Sequence, residues 1–249
     1  MKKIMPGQLA GRIALVTGAN RGIGLAIAKA YAQEGARCIL AGRDLAALER
    51  VAEEIHASGG SASALYLDLD KVESIRAAIE AVSKTHPRLD IFVANAAVLG
   101  ARVPITQYPL DVWMQTFQVN VHANLLLLQG LDPLLRKSDA GRVLILSADV
   151  SKIPKVRTGS YAVSKAALGA MAGIYALEGA GSATRVNIVS PQATRTQMRA
   201  RAVPDEDPMT LKTPEDIAPL FVELALPSCT RQGEWISADE WMKSRGGKK

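Results

Sequence analysis

The sequence predicts an α/β protein: a doubly wound parallel sheet of about seven strands, sandwiched between helices in three α/β/α layers. Three observations carry this expectation. Short runs rich in Val, Ile and Leu alternate with helical patterns, those runs are apolar throughout rather than at every second residue, and the first of them ends in a glycine-rich turn that opens into a helix. A strand that is apolar on both sides is covered on both sides, the condition of a parallel sheet between helical layers. The 249 residues fit one such domain, because open-sheet α/β units reach about 250 residues.

Strands are expected at 13–17, 37–41, 62–67, 91–94, 142–147 and 185–190. Between them, Leu45, Leu48, Ala52 and Ile55 mark one face of a helix whose other face carries Glu49, Arg50, Glu53 and Glu54. Ile75, Ala78, Ile79 and Val82 repeat at i, i+3, i+4, i+7, the period of a second amphipathic helix. Thr213-Pro214-Glu215-Asp216 offers an N-cap threonine, a proline at the first helical position and acids in the first turn, so a further helix starts near Pro214. Residues 194–212 differ, with charges, Pro204, Pro208 and little core periodicity. They read as an excursion outside the layers, either a substrate lid or a passive loop.

Composition narrows the classes. Hydrophobic residues at 48% and charged residues at 22% exclude disordered, collagen-like and coiled-coil chains. The net charge of +6 is matched by Lys2, Lys3, Lys243, Arg245, Lys248 and Lys249 alone, which leaves a neutral body. The basic tail at 243–249 reads as a solvated end, and no nucleic-acid binding is expected. Cys38 and Cys229 give neither a disulfide framework nor a metal pair, which fits a reducing cytoplasm, and the scattered His56, His86 and His122 predict no metal site. Met1-Lys2-Lys3 is followed by Ile4-Met5-Pro6-Gly7-Gln8 rather than a long apolar run, so no secretory signal is expected. The uncharged stretch 112–131 carries Gln115, Gln118, Asn120, His122, Asn124 and Gln129, which disqualifies it as a membrane span.

The first strand ends in Thr17-Gly18-Ala19-Asn20-Arg21-Gly22-Ile23-Gly24. Gly18, Gly22 and Gly24 let the backbone turn tightly and approach a pyrophosphate, while the N–H groups and dipole of the helix start favour its negative charge. The end of the second strand decides the ribose chemistry, because a carboxylate there accepts from a 2'-hydroxyl whereas arginine attracts a 2'-phosphate. Here Gly42 stands where the acid would be, Arg43 follows, and Arg21 is available from the loop. This favours NADP(H), with Asp44 read as the N-cap of the next helix.

With these residues in view, the chain resembles the classical short-chain dehydrogenase/reductase family, nearly end to end, from Leu9 to about Asp239. Thr17 to Gly24 matches the family's TGxxxGxG loop, Asp68-Leu69 its adenine-contacting pair, and Asp90 to Ala97 its strand ending in NNAG. Asn120 matches its helix asparagine, Tyr161 and Lys165 its YxxxK, and Ser190-Pro191 its PG. The resemblance implies a Rossmann-like fold and hydride transfer between a nicotinamide and a carbonyl or alcohol substrate. It implies that Tyr161 is the general acid/base, Lys165 its activator and ribose anchor, and Asn120 a water-positioning group. It completes the cofactor site with Asn20, Ile23, Asn95, Ala96, Ala97, Pro191, Gln192, Thr194 and Thr196. The physics agrees in outline: a free tyrosine has a pKa of about 10, too high for a base near neutrality, and a lysine four residues on lies on the same helix face.

Three departures stand against the matches. Ala148, thirteen residues before Tyr161, replaces the family's substrate-orienting serine, and the neighbouring Ser147 points to the other face of the strand unless a bulge re-aims it. Ser147 is therefore not expected to replace it. Ala97 stands for the glycine of NNAG and Gln192 for the glycine of PG, beside the expected nicotinamide. A second reading follows, a catalytically impaired NADP(H)-binding regulatory or scaffold protein. Lys152, Lys155, Arg157, Arg195, Arg199 and Arg201 border the expected pocket; solvated loop charges are the preferred reading over an anionic substrate. The uncharged 166–177 helix, which the resemblance packs with the 111–136 helix against a second subunit, implies a homodimer or homotetramer.

Overall fold

The computed structural model describes residues 7–246. The reading of Met1-Lys2-Lys3 and the 247–249 part of the basic tail lie outside the described residues.

Seven strands form one sheet: β1 (Ile13–Thr17), β2 (Arg37–Gly42), β3 (Ser61–Tyr66), β4 (Ile91–Ala94), β5 (Arg142–Leu146), β6 (Arg185–Ser190) and β7 (Trp235–Ser237). The helices are α1 (Gly22–Gln33), α2 (Leu45–Ala57), α3 (Val72–Thr85), α4 (Leu110–Phe117), α5 (Ala123–Leu135), α6 (Gly159–Glu178), α7 (Gln197–Ala202), α8 (Pro214–Ala225) and α9 (Ala238–Ser244). The strand order is β3-β2-β1-β4-β5-β6-β7, with every pair parallel. The winding reverses between β1 and β4, the switch point at which a doubly wound sheet opens a crevice.

The apolar strands supply two cores by alternation. Ala14, Val16, Leu40, Ile91, Val93, Leu144 and Leu146 pack on one face with residues of α1, α2 and α8. Ile13, Leu15, Ile39, Phe92, Val143 and Ile145 pack on the other with residues of α3, α5 and α6. Continuous hydrophobic runs thus serve two layers at once.

Local signals set the elements at the edges. Thr213 and Asp216 form a reciprocal capping box at the start of α8, as its sequence predicts. The 111–136 helix, expected as one piece, is broken: a π turn over Gln118–His122 separates α4 from α5 and holds Asn120 fully buried. An inserted residue of this kind re-aims side chains and recurs at functional sites. At the opposite edge of the sheet from the crevice, buried Asp90 accepts from Ile13 N–H at 2.9 Å and Ser138 Oγ at 2.6 Å and pairs with Arg12 and Arg88. Among the described residues no helix is long and apolar enough to cross a membrane, and no cluster of three or more His, Cys, Asp or Glu could hold a metal.

Candidate active site

All strands point the same way, so the loops after β1 to β6 converge at one edge. They enclose a cavity of 1310 Å³ that runs from the glycine turn to Tyr161 and Lys165. Common ligand pockets are about 300–1,000 Å³, so this one has room for a dinucleotide with a second molecule beside it.

The glycine turn is held by β4. Asn95 Nδ2 donates to Thr17 O at 2.7 Å, while the Thr17 hydroxyl accepts from the N–H groups of Asn95 and Ala96, each at 3.0 Å. Gly18 and Gly22 have φ of 68° and 56°, the left-handed region that L side chains rarely adopt. A Cβ at Gly24 would lie 2.3 Å from Gly18 O and 2.5 Å from Asn95 Nδ2. The start of α1 therefore faces the cavity as bare backbone. Arg21 and Arg43 line the same end, exposed and in no ion pair among the described residues. Asp44 is spent as the N-cap of α2, accepting from Ala47 N–H at 3.0 Å. A bare cradle with two free guanidinium groups fits a dinucleotide carrying a phosphate on its ribose.

At the other end, Tyr161 and Lys165 share one face of α6. Lys165 is 2% exposed, donates to Leu146 O at 2.7 Å, and holds its ammonium 6.0 Å from the centre of the Tyr161 ring. Burial pushes the Lys165 pKa down to about 8 and the Tyr161 pKa up to about 12. Each group is thereby biased towards its uncharged form.

Most expected cofactor positions meet on this lining: Gly18, Asn20, Arg21, Gly22, Ile23, Arg43, Asp68, Leu69, Asn95, Ala96, Ala97, Tyr161, Lys165, Pro191 and Thr196. Four expected site residues are off it. Gly24 lies beneath the turn, where its lack of a side chain is what matters. Asn120 is buried behind the wall, with Oδ1 accepting from Val98 N–H at 2.9 Å and Nδ2 donating to Val98 O and Ser164 Oγ, each at 3.0 Å. Its own carbonyl accepts from Asn124 Nδ2 at 2.9 Å. No side-chain donor is left on Asn120 for a water, and its side chain joins the π turn to the cavity wall and α6.

Gln192 is the third. Its φ of 57° preserves the glycine-like backbone, at a cost of about 1–2 kcal/mol for an L residue. Its side chain turns away from the cavity and accepts from Asp239 N–H at 2.7 Å. The departure from glycine at position 192 therefore puts no side chain on the lining. Thr194, the fourth, is buried and donates to Pro191 O at 3.0 Å. It also bridges Lys212, whose ammonium reaches Ala193 O at 2.9 Å and Asp239 Oδ1 at 2.5 Å. These contacts close the base of the 194–212 excursion into a stem.

Ser147 continues the strand ladder, its N–H donating to Val189 O at 2.9 Å, so no bulge intervenes. It falls on the α6 face by alternation and donates its hydroxyl to Lys165 O at 3.2 Å. Ala148 is not on the lining. Ser147 does line the cavity, but its hydroxyl is engaged with Lys165 O. Of the six cations near the mouth, Arg199 is paired with Glu206 at 2.6 Å and Lys152 lies 4.1 Å over the Trp235 ring, while Arg195 and Arg201 line the cavity. Sequence reasoning missed Arg102, Gln115 and Glu215 on the lining. No spacing signals the first two; the third sits in the first turn of α8, whose start the capping pattern marks.

With this geometry established, comparison with known proteins is direct. Residues 12–207 match the short chain dehydrogenase family model. An uncharacterised oxidoreductase of Escherichia coli K12, YciK, is 41% identical over 217 residues, covering 86% of this chain and 85% of its own. Bovine dehydrogenase/reductase SDR family member 4 is 33% identical over 188 residues, covering 76% of this chain and 67% of its own. Among solved structures, a short-chain dehydrogenase of Shigella flexneri 2a complexed with NADP superposes with a TM-score of 0.90 at 39% identity, covering 94% of this chain and 100% of that one. One from Escherichia coli CFT073 complexed with NADPH gives a TM-score of 0.90, also at 39% identity, covering 94% and 99%. The fold and the glycine cradle define a nicotinamide-dinucleotide oxidoreductase of the Rossmann type. The chain belongs to the short-chain dehydrogenase family.

The depressed pKa of Lys165 makes a stability prediction. Because its folded value of about 8 lies below the ordinary lysine value of about 10.4, the unfolded chain binds that proton more tightly. The folded state is penalised below about pH 8, and the penalty fades as pH rises towards the unfolded value. The unfolding free energy of Lys165→Met minus that of the wild type should therefore be larger at pH 7 than at pH 10 in urea titrations. A difference independent of pH contradicts the assignment.

Proposed function

We propose that this protein is an NADP(H)-dependent oxidoreductase that interconverts a carbonyl compound and its alcohol. The observation that carries the reading is that Tyr161 and Lys165 line the same cavity as the glycine cradle and the unpaired Arg21 and Arg43. The NADP and NADPH bound by the two similar structures support the choice of cofactor. In this reading the α1 start holds the pyrophosphate, Arg21 and Arg43 hold the 2'-phosphate, and the stem at Thr194 and Lys212 carries a lid over the site.

When bound, the nicotinamide supplies or accepts the hydride. Tyr161 handles the proton at the substrate oxygen. Burial keeps its phenol protonated through neutral pH, the state needed to donate to a carbonyl oxygen as it becomes an alcohol. Lys165, held against Leu146 O, places a cation behind that phenol and lowers the cost of the phenolate left after donation. With Ala148 in the serine position and the Ser147 hydroxyl engaged with Lys165 O, the phenol carries most of the contact to the substrate oxygen, and a slower chemical step than in a serine-bearing site follows. The turned-away Gln192 removes the steric support for a blocked scaffold protein.

Exposed Leu110 and Met114 on α4, Leu125 on α5, and Val163, Ile174 and Leu177 on α6 support a homo-oligomer assembled through these helices. The free thiols of Cys38 and Cys229 suit a reducing cytoplasm.

The decisive experiment is turnover of a panel of aldehydes and ketones with NADPH by the wild type and Tyr161→Phe. Loss of the proton donor should lower kcat by about 10²–10⁴-fold; equal activity in the variant overturns the reading. Light scattering is expected to give a dimer or tetramer mass, and a monomer at micromolar concentration contradicts the oligomer.

A further inference from the structure

Tyr108 lies between β4 and α4, off the cavity lining, yet three elements meet on its side chain. Its hydroxyl accepts from Ala101 N–H at 2.7 Å and shares a 2.6 Å hydrogen bond with Ser160 Oγ. Its ring stands edge-on to Trp113 with centroids 5.5 Å apart. The ring also covers the start of α6: a Cβ on Gly159 would lie 2.2 Å from Tyr108 Cε2. A Cβ on Gly100 would lie 2.4 Å from the phenol oxygen and 2.5 Å from Ser160 Oγ. Both glycines have positive φ, 33° and 68°. Two backbone positions are bare where this phenol meets the residue before Tyr161.

The start of α6 supplies a second, independent observation. Thr158 occupies the N-cap position but makes no capping bond; its hydroxyl donates to Lys155 O at 2.6 Å instead. Caps normally hold the first turn of a helix, and here the turn that bears Tyr161 begins without one. At its N-terminal end the side-chain tie to the rest of the fold is Ser160 to Tyr108; further along, Asn120 reaches Ser164 and Lys165 reaches Leu146 O. Ser160 is fully buried, so its hydroxyl has no solvent alternative. On the β5 side Ser147 lines the cavity with its hydroxyl engaged on Lys165 O, and the aim of Tyr161 depends on its own turn.

We infer that Tyr108 is a positioning residue for Tyr161: through Ser160 it pins the uncapped first turn of α6, and with it the phenol on the cavity wall. The catalytic consequence rests on the oxidoreductase reading above, whereas the tether does not. The two are separable by experiment. Tyr108→Phe keeps the ring over Gly159 and removes only the hydroxyl; Ser160→Ala removes the other half of the bond and serves where the first variant is unstable.

Amide hydrogen exchange of the full-length protein, without substrate, tests the tether. Exchange at Ala162 to Lys165 should accelerate on the order of tenfold in either variant, the effect of one lost hydrogen bond, while the C-terminal half of α6 stays unchanged. Turnover of the fastest carbonyl compound of a small panel with NADPH tests the consequence. kcat should fall on the order of tenfold in each single variant with the NADPH Kd unchanged, and the double variant should lose no more than either single one. Unchanged exchange at 162–165 in both variants overturns the inference, as do kcat losses that multiply in the double variant. A wild type without turnover counts against the oxidoreductase reading alone, and the exchange result then decides the tether.

Discussion

The site depends on one close approach of backbone to backbone. A Cβ at position 24 would sit 2.3 Å from the carbonyl of Gly18, so the turn after β1 and the first turn of α1 touch without side chains between them. That contact forces the N-terminus of α1 towards the crevice between β1 and β4, and its unpaired N–H groups become the phosphate cradle. The cradle is tied to the sheet by Thr17 and Asn95, from neighbouring strands, which exchange backbone and side-chain hydrogen bonds. Binding geometry is thereby inherited from the rigid sheet rather than from a loop.

A second constraint acts on the far wall. Lys165 is buried with one carbonyl partner, Leu146 O, and the desolvation it suffers is the cost of a cation held behind a phenol. Asn120 braces the same region from the π turn, joining the wall at Val98 to α6 at Ser164. The insertion that makes the π turn explains how one helix segment can both pack on the sheet and present a fully buried asparagine to its neighbours. Local irregularity here is set by the hydrogen bonds that Asn120 makes in three directions.

Much of this was legible in the sequence, for reasons that differ by residue. Apolar runs marked six of the strands because each side of the sheet needs its own core, although Ser63 and Asn187 interrupt two of them and edge strand β3 is only partly covered; β7, with three residues, is too short for such a signal. Gly18 and Gly22 were legible because a tight turn needs left-handed backbone, and Gly24 because backbone there must approach backbone. The effect of Gln192 was not legible, because rotation about its side chain carries the amide oxygen to Asp239 N–H, which sequence spacing cannot show. Asn120 was found by position while its partners were hidden, because Val98 and Ser164 become neighbours only through the fold. Arg102 and Gln115 were invisible because they belong to no local pattern and reach the cavity through the course of the β4–α4 connection.

The cavity at the β1/β4 switch point is built for a 2'-phosphorylated nicotinamide dinucleotide. Calorimetric titration of the folded, nucleotide-free protein with NADPH and with NADH tests it without any choice of substrate. NADPH is expected to bind at micromolar or tighter affinity, on the order of a hundredfold tighter than NADH from the charge-assisted bonds of Arg21 and Arg43. Equal affinity for the two nucleotides would contradict the role of those arginines, and binding of neither would contradict the nucleotide site itself.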